Sequence, residues 1–125
     1  DWKVLLPASA IGVLSAGVLN LNNMRDRISD ERAKKYTLVV KLGPERAKHY
    51  HYFLLLSAIF FMVIYTALTY QGLDDILYWF AFLPLLRHLK TVMENKNPER
   101  LDPQLKVLAI STFLMAVLFT VGQVV

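Results

Sequence analysis

Four apolar stretches, divided by two loops dense in charge and one short polar turn, constrain this chain more than anything else in it. Val4 to Leu21 has no formal charge, Tyr50 to Tyr70 none besides the titratable His51, and Val107 to Val125 none at all. Leu73 to Leu86 is apolar apart from Asp74 and Asp75 near its start. About 20 residues at a rise of 1.5 Å cross a hydrocarbon core of about 30 Å. By that rule spans are expected at about 4–21, 50–70, 73–93 and 106–124. The third reaches membrane length only by continuing through Arg87 and Lys90, whose aliphatic stems carry their charge to the interface. A chain of 125 residues, 55% of them apolar, is too small to cover four such segments as a water-soluble core. The expected fold class is all-α: a polytopic membrane helix bundle of about four transmembrane helices.

The charge follows the same plan. Eight Lys or Arg lie between Arg25 and Lys48, five between Arg87 and Lys106, and only Lys3 lies elsewhere. Four spans place both basic loops on one side, and the positive-inside rule makes that side cytoplasmic. The net charge of +4 is therefore topological. Nucleic-acid binding is excluded on the same ground, and no motif for it is present. With no cysteine, disulfides and thiolate metal sites are excluded. The first apolar segment lacks the basic region of a signal peptide, and Asp1 stands where a methionine would. The chain is expected to start in mid-protein.

The loop at 22–49 carries the chemistry. Asn22, Asp26 and Asp30 recur at i, i+4 and i+8, so a helix would place them on one face. Mg²⁺ is usually held by one or two carboxylates together with substrate phosphates. Arg25, Arg32, Lys34 and Lys35 are placed to meet the remaining phosphate charge. Carboxylates and cations together at a membrane surface suit a lipid diphosphate. On its own, however, Asp-x-x-x-Asp is more often plain surface charge.

The rest of the chain is read as scaffold. Asn20, Asn22 and Asn23 are expected to face a polar cavity, because lipid-facing amides are costly. Ala8, Gly12 and Ala16 form a small-residue stripe that would allow close helix approach. Tyr36 to Leu42 is short and β-branched and is read as extended or irregular, a re-entrant cover over the site. A new helix is expected at Pro44 with Glu45 in its first turn. Pro84 should kink the third span, and Asp74 and Asp75 read as helix-initiating charge. Tyr50, Tyr52, Tyr65, Tyr70, Tyr78 and Trp79 suggest interfacial aromatic belts. His49 and His51, two apart, cannot share a metal on a helix and are given an interfacial structural role. His88, alone among cations, is expected to be solvated or to hydrogen-bond locally, not to catalyse.

These residues resemble a known group. Asn22-Asn23-x-Arg25-Asp26-x-x-x-Asp30, followed by Lys35-x-Thr37-Leu38-x-Val40-x-Leu42-Gly43, is similar to the second aspartate motif of the UbiA superfamily of membrane prenyltransferases. The doubled asparagine, the Arg-Asp pair and Lys-x-Thr-Leu resemble most closely the branch acting on 1,4-dihydroxy-2-naphthoate in menaquinone synthesis. Asp102-Pro103-Gln104-Leu105-Lys106 is also similar to that branch. Members usually carry glycine where this chain has Lys34.

The resemblance implies a bundle of about nine helices with two aspartate motifs, residues 1–125 being its C-terminal part. The N-terminal half with the first motif would be a partner in the active site, and this part alone would be inactive. It implies Mg²⁺ as cofactor, polyprenyl diphosphate as donor, dihydroxynaphthoate as acceptor, loss of the acceptor carboxylate, and a bacterial inner-membrane location. Asp26 and Asp30 would be the catalytic metal-diphosphate ligands. Asn22, Arg25, Lys35, Arg32 and Lys34 would bind diphosphate, with Thr37 orienting the loop. The alternatives are an enzyme for another aromatic acceptor such as 4-hydroxybenzoate, and a non-enzymatic membrane module holding anionic lipid or a partner through its basic loops.

Overall fold

A computed structural model describes residues 1–125 and contains helices only. A 3₁₀ turn at Trp2–Val4 leads into α1 (Leu5–Arg25), then the short α2 (Arg27–Arg32) and α3 (Leu38–Leu42), and the long α4 (Pro44–Thr69). A 3₁₀ segment, Leu73–Ala81, runs into α5 (Phe82–Glu94), and a 3₁₀ turn at Pro98–Leu101 precedes α6 (Asp102–Val124). Helices suit an apolar surround because they satisfy their backbone groups within the element.

Three stretches are each long and apolar enough to cross a membrane: Trp2–Arg25, Pro44–Thr69 and Pro98–Val124. The third expected span is built differently. Its nine-residue 3₁₀ segment rises about 18 Å at about 2.0 Å per residue. The 13 residues of α5 add about 20 Å. Neither piece alone is long and apolar enough to cross a membrane, so three such helices stand where four spans were expected. Pro84 explains the division. Its ring clashes with a preceding helical turn and it lacks an N–H, so it is tolerated only in the first turn of α5. The expected kink is thus a change of helix type just ahead of it.

The bundle has an apolar core with a few buried polar groups set into it. Leu14, Leu21, Leu55, Met62, Leu85, Leu108 and Met115 form the buried core, yet Asn20, His51, Thr66, His88 and Ser111 are buried among them. Phe53, Phe60, Phe80, Leu83 and Phe113 face outward, as lipid contact requires. Two of the expected belt aromatics lie inside instead. Tyr78 is buried with its hydroxyl on Thr66 and on the Met62 carbonyl, and Tyr65 donates to Gln123 Oε1 at 3.0 Å. A phenol that finds a partner can enter the core.

Close helix approach depends on other small residues than the expected stripe. Ala8 and Gly12 are exposed, and a methyl at Gly12 would meet no atom within 4 Å. Gly17 is buried where α1 meets α4, and a methyl there would lie 3.2 Å from Leu55 Cδ1. Gly122 is tighter still, because a methyl there would overlap the Asp74 carbonyl of the 3₁₀ segment. Asp75 fixes that segment's start, accepting from the Gln71 N–H at 2.7 Å and the Gly72 N–H at 3.2 Å.

Both basic loops come to one end of the bundle. Lys48 at the start of α4 donates to the Met93 and Asn95 carbonyls at the end of α5, and Arg25 reaches Asp102. Gly122→Ala should destabilise the protein by about 1–3 kcal/mol through overpacking, checked by thermal unfolding in detergent.

Candidate active site

The motif begins where α1 ends. Asp26 sits at φ −91°, ψ 5°, between α1 and α2. Hydrogen bonding nevertheless continues through it: the Asp26 N–H donates to the Asn22 carbonyl at 3.1 Å, and the Asp30 N–H to the Asp26 carbonyl at 2.8 Å. The i, i+4, i+8 register read from the sequence therefore survives the break. Ser29 Oγ steadies the junction, donating to the Asp26 carbonyl at 3.0 Å.

Arg25 organises the polar groups. Its Nε donates to Asp26 Oδ1 at 2.8 Å and its Nη2 to Asp26 Oδ2 at 3.1 Å, a two-pronged grip on one carboxylate. Nη2 also donates to Asn22 Oδ1 at 2.8 Å, and Nη1 to Asp102 Oδ1 at 2.7 Å. Arg25 was expected to contact diphosphate directly; in the structure most of its donors are engaged by these three side chains. Hydrogen bonding by Arg25 holds the Asp26 carboxyl below the usual carboxylate range, against partial desolvation, and the Arg25 and Lys35 charges add to it.

Asp30 is placed differently. Its side chain is only 13% exposed, and Oδ2 is buried without a hydrogen-bond partner. Oδ1 lies 3.8 Å from the exposed Lys35 Nζ. The turn after α2 brings Lys35 there. The Lys35 N–H donates to the Asp30 carbonyl at 2.8 Å and the Lys34 N–H to the Glu31 carbonyl at 3.1 Å, a Schellman closure. Such a closure needs a left-handed residue at the position of Lys34, whose φ is +57°. That is why glycine is expected there. The lysine accepts a conformation that glycine adopts without steric cost.

The stretch read as extended is partly helical. Thr37 Oγ1 accepts from the Val40 N–H at 3.3 Å and caps α3, and Val39 is buried. A cap and one buried anchor here outweigh β-branched propensity.

Arg25, Asp26, Arg32 and Asp102 line one cleft of about 490 Å³ together with Asn97 and Glu99. Asp30 and Lys35 are not part of its lining, and Lys34 projects from an exposed turn. No group of three or more His, Asp or Glu is gathered as a metal cage. Asp102 was legible only as part of a motif and not as a site residue; nothing in the sequence ties it to Arg25, 77 positions away.

The histidines differ most from expectation. His49 is exposed, but His51 and His88 are buried and meet at 3.0 Å between their Nε2 atoms. His88 Nδ1 lies 2.8 Å from Gln104 Oε1, and Asn20 Nδ2 lies 3.5 Å from His51 Nδ1 and 3.3 Å from the Ala47 carbonyl. Both buried histidines are shielded from solvent and bond to each other across helices, not to local partners. Asn20, expected to face a polar cavity, is paired instead. The one sequence signal was a histidine inside an otherwise uncharged span.

An all-helical membrane bundle with a carboxylate-arginine cluster at its basic end defines a class, and comparison gives it a family. The model of the UbiA prenyltransferase family matches residues 1–118, and the chain belongs to that family. It is 34% identical to the 1,4-dihydroxy-2-naphthoate octaprenyltransferase of Escherichia coli (strain K12) over 119 residues, 95% of this chain and 39% of that protein. Identity to the protein of the same name from Haemophilus influenzae is 32% over 125 residues, 100% of this chain and 41% of that one. A Mycobacterium tuberculosis protein, also so named, is 50% identical over 48 residues, 38% of this chain and 16% of its own. The chain thus spans about two fifths of the length of the first two curated relatives. No solved structure matches it.

Lys34→Gly should stabilise the protein by about 1 kcal/mol by removing left-handed strain, measured by chemical unfolding in mixed micelles. A carboxyl whose folded pKa is depressed contributes stability above its unfolded pKa of about 3.9 and loses it as pH falls through the folded value. Acid titration should therefore show a loss of stability below about pH 4 that Asp26→Asn reduces.

Proposed function

We propose that this chain is the C-terminal part of a Mg²⁺-dependent enzyme that transfers a polyprenyl group from polyprenyl diphosphate to 1,4-dihydroxy-2-naphthoate. The observation that carries the reading is the pair of motif carboxylates at the basic end of a membrane bundle. One is gripped by Arg25, and the other keeps a buried oxygen without a partner. The names of the relatives supply the donor and acceptor classes. The protein resides in the bacterial inner membrane with both basic loops in the cytoplasm, as the distribution of lysine and arginine favours.

One orphaned oxygen supports a metal here. Asp30 Oδ2 is a desolvated carboxylate oxygen with no hydrogen bond, and such an atom is costly unless a cation meets it. Two carboxylates suffice for an ion that completes its shell with water and diphosphate oxygens. Asp26 and Asp30 would hold it, assisted by Asn22. When bound, Mg²⁺ supplies neutralisation of the charge that develops on the leaving diphosphate.

The chain's own residues do the rest. Lys35, Arg32 and Lys34 present cations to the outer diphosphate oxygens, where fixed positive charge favours departure of the C–O electron pair. Arg25 keeps Asp26 ionised and aimed. Thr37 orders the loop that carries Lys35. The apolar bundle excludes water from the allylic carbon so that the aromatic ring is the nucleophile it meets. The first aspartate motif would come from the N-terminal half of the same enzyme.

The test is prenyl transfer in membranes carrying the full gene, with dihydroxynaphthoate or 4-hydroxybenzoate, polyprenyl diphosphate and Mg²⁺. The expected product is prenylated naphthoate, and Asp26→Asn or Asp30→Asn should each lower the rate by about 100-fold or more. No product from either acceptor, with intact protein present, would overturn the assignment in favour of a lipid- or partner-binding module.

A further inference from the structure

The buried polar chain from Asn20 through His51 and His88 to Gln104 touches all four long elements of the bundle: α1, α4, α5 and α6. Its hydrogens run in one direction. Gln104 Oε1 has no hydrogen, so the proton of that 2.8 Å bond belongs to His88 Nδ1. A neutral His88 then accepts at Nε2, so the 3.0 Å bond is donated by His51 Nε2–H. His51 Nδ1 is left as acceptor for the Asn20 amide. Both rings are used at both nitrogens, at an edge-on interplanar angle of 65°. Every member has a partner, as a buried polar network needs if it is to specify one arrangement.

The ends of this chain lie on the same helix ends as the candidate site. Asn20 lies two residues before Asn22 on α1, and Gln104 two residues after Asp102 on α6. Those are the two helix ends that Arg25 joins directly through its 2.7 Å bond to Asp102. The α1–α6 relation is thus held twice, once by the guanidinium and once by the buried chain through α4 and α5. A shift of either helix would break the Arg25–Asp102 bond that helps aim the guanidinium gripping Asp26.

We propose that Asn20, His51, His88 and Gln104 form a positioning array that sets α1 against α6 and so holds Arg25 and Asp26 in the geometry that receives Mg²⁺-diphosphate. The inference rests on the diphosphate reading of Asp26 and Asp30. None of the four is a catalytic residue, because each acts through the helix that bears it.

The experiment uses the full-length protein in detergent and two readouts besides turnover. ¹⁵N spectra of labelled histidine should show His51 as the Nε2–H tautomer and His88 as the Nδ1–H tautomer at neutral pH, with assignment by single substitution. The reverse tautomers, or a doubly protonated ring, would overturn the array. Binding of inorganic pyrophosphate with Mg²⁺, measured by titration calorimetry, should weaken about tenfold in His88→Phe and Gln104→Leu yet stay within about twofold in Gln104→Glu, which keeps the acceptor. If His88→Phe does not fold, Gln104→Leu carries the test, because Gln104 is only partly buried in the first turn of α6. Folded Gln104→Leu that binds like wild type, while Asp26→Asn does not, would overturn the array alone. Unchanged binding in Asp26→Asn would instead remove the diphosphate reading beneath it.

Discussion

The Arg25 guanidinium is the contact on which the basic end of the molecule depends. Four hydrogen bonds to Asn22, Asp26 and Asp102 join the last turn of one spanning helix, the motif junction and the first turn of another. A planar fork does this because its donors diverge in fixed directions, whereas an ammonium would offer a point charge. The same grip keeps Asp26 ionised. Asp30 is left as the carboxylate with an unspent oxygen, so two aspartates four residues apart acquire different surroundings.

Elsewhere the bundle combines an apolar core with a few buried polar cross-links between helices. Lipid offers helices no hydrophobic reason to associate, so packing at small residues and interhelical hydrogen bonds take over. Gly17 and Gly122 provide the close approaches. Thr66 ties α4 to the 3₁₀ segment through Tyr78 and accepts from Trp79 Nε1 at 3.1 Å. The two buried histidines complete the cross-links by using both nitrogens of each ring. Individually such bonds are modest, but a partner lost inside the bundle leaves a polar group with no water to turn to.

How much was legible follows from the range of each interaction. The apolar blocks, the Pro44 helix start and the Asn22–Asp26–Asp30 register are local patterns, and the chain displays them directly. The helical state of Leu38–Leu42 was missed because a Thr37 cap and the burial of Val39 outweigh propensity. The divided third span was half visible, since Pro84 marked a disturbance but not the 3₁₀ run ahead of it. The Ala8–Gly12–Ala16 stripe makes no close approach within residues 1–125, because spacing gives a face without saying what that face meets. His51 and His88 were misread for a related reason. Each looks solitary along the chain, and their pairing exists only once α4 and α5 are side by side.

The sequence by itself determined that this is a multi-pass membrane helix bundle of the UbiA family, with its carboxylates and cations concentrated at one end. Those properties are sums over neighbouring residues: hydropathy along a span, charge along a loop, and a motif at helical spacing. Tertiary structure alone decided that Arg25 is spent on Asp26 and Asp102, that Asp30 keeps a bare oxygen, and that four helices share one line of hydrogen bonds. These are contacts between residues up to 77 positions apart. Their energy is realised only when the desolvated groups are brought within hydrogen-bonding distance, which no local pattern encodes.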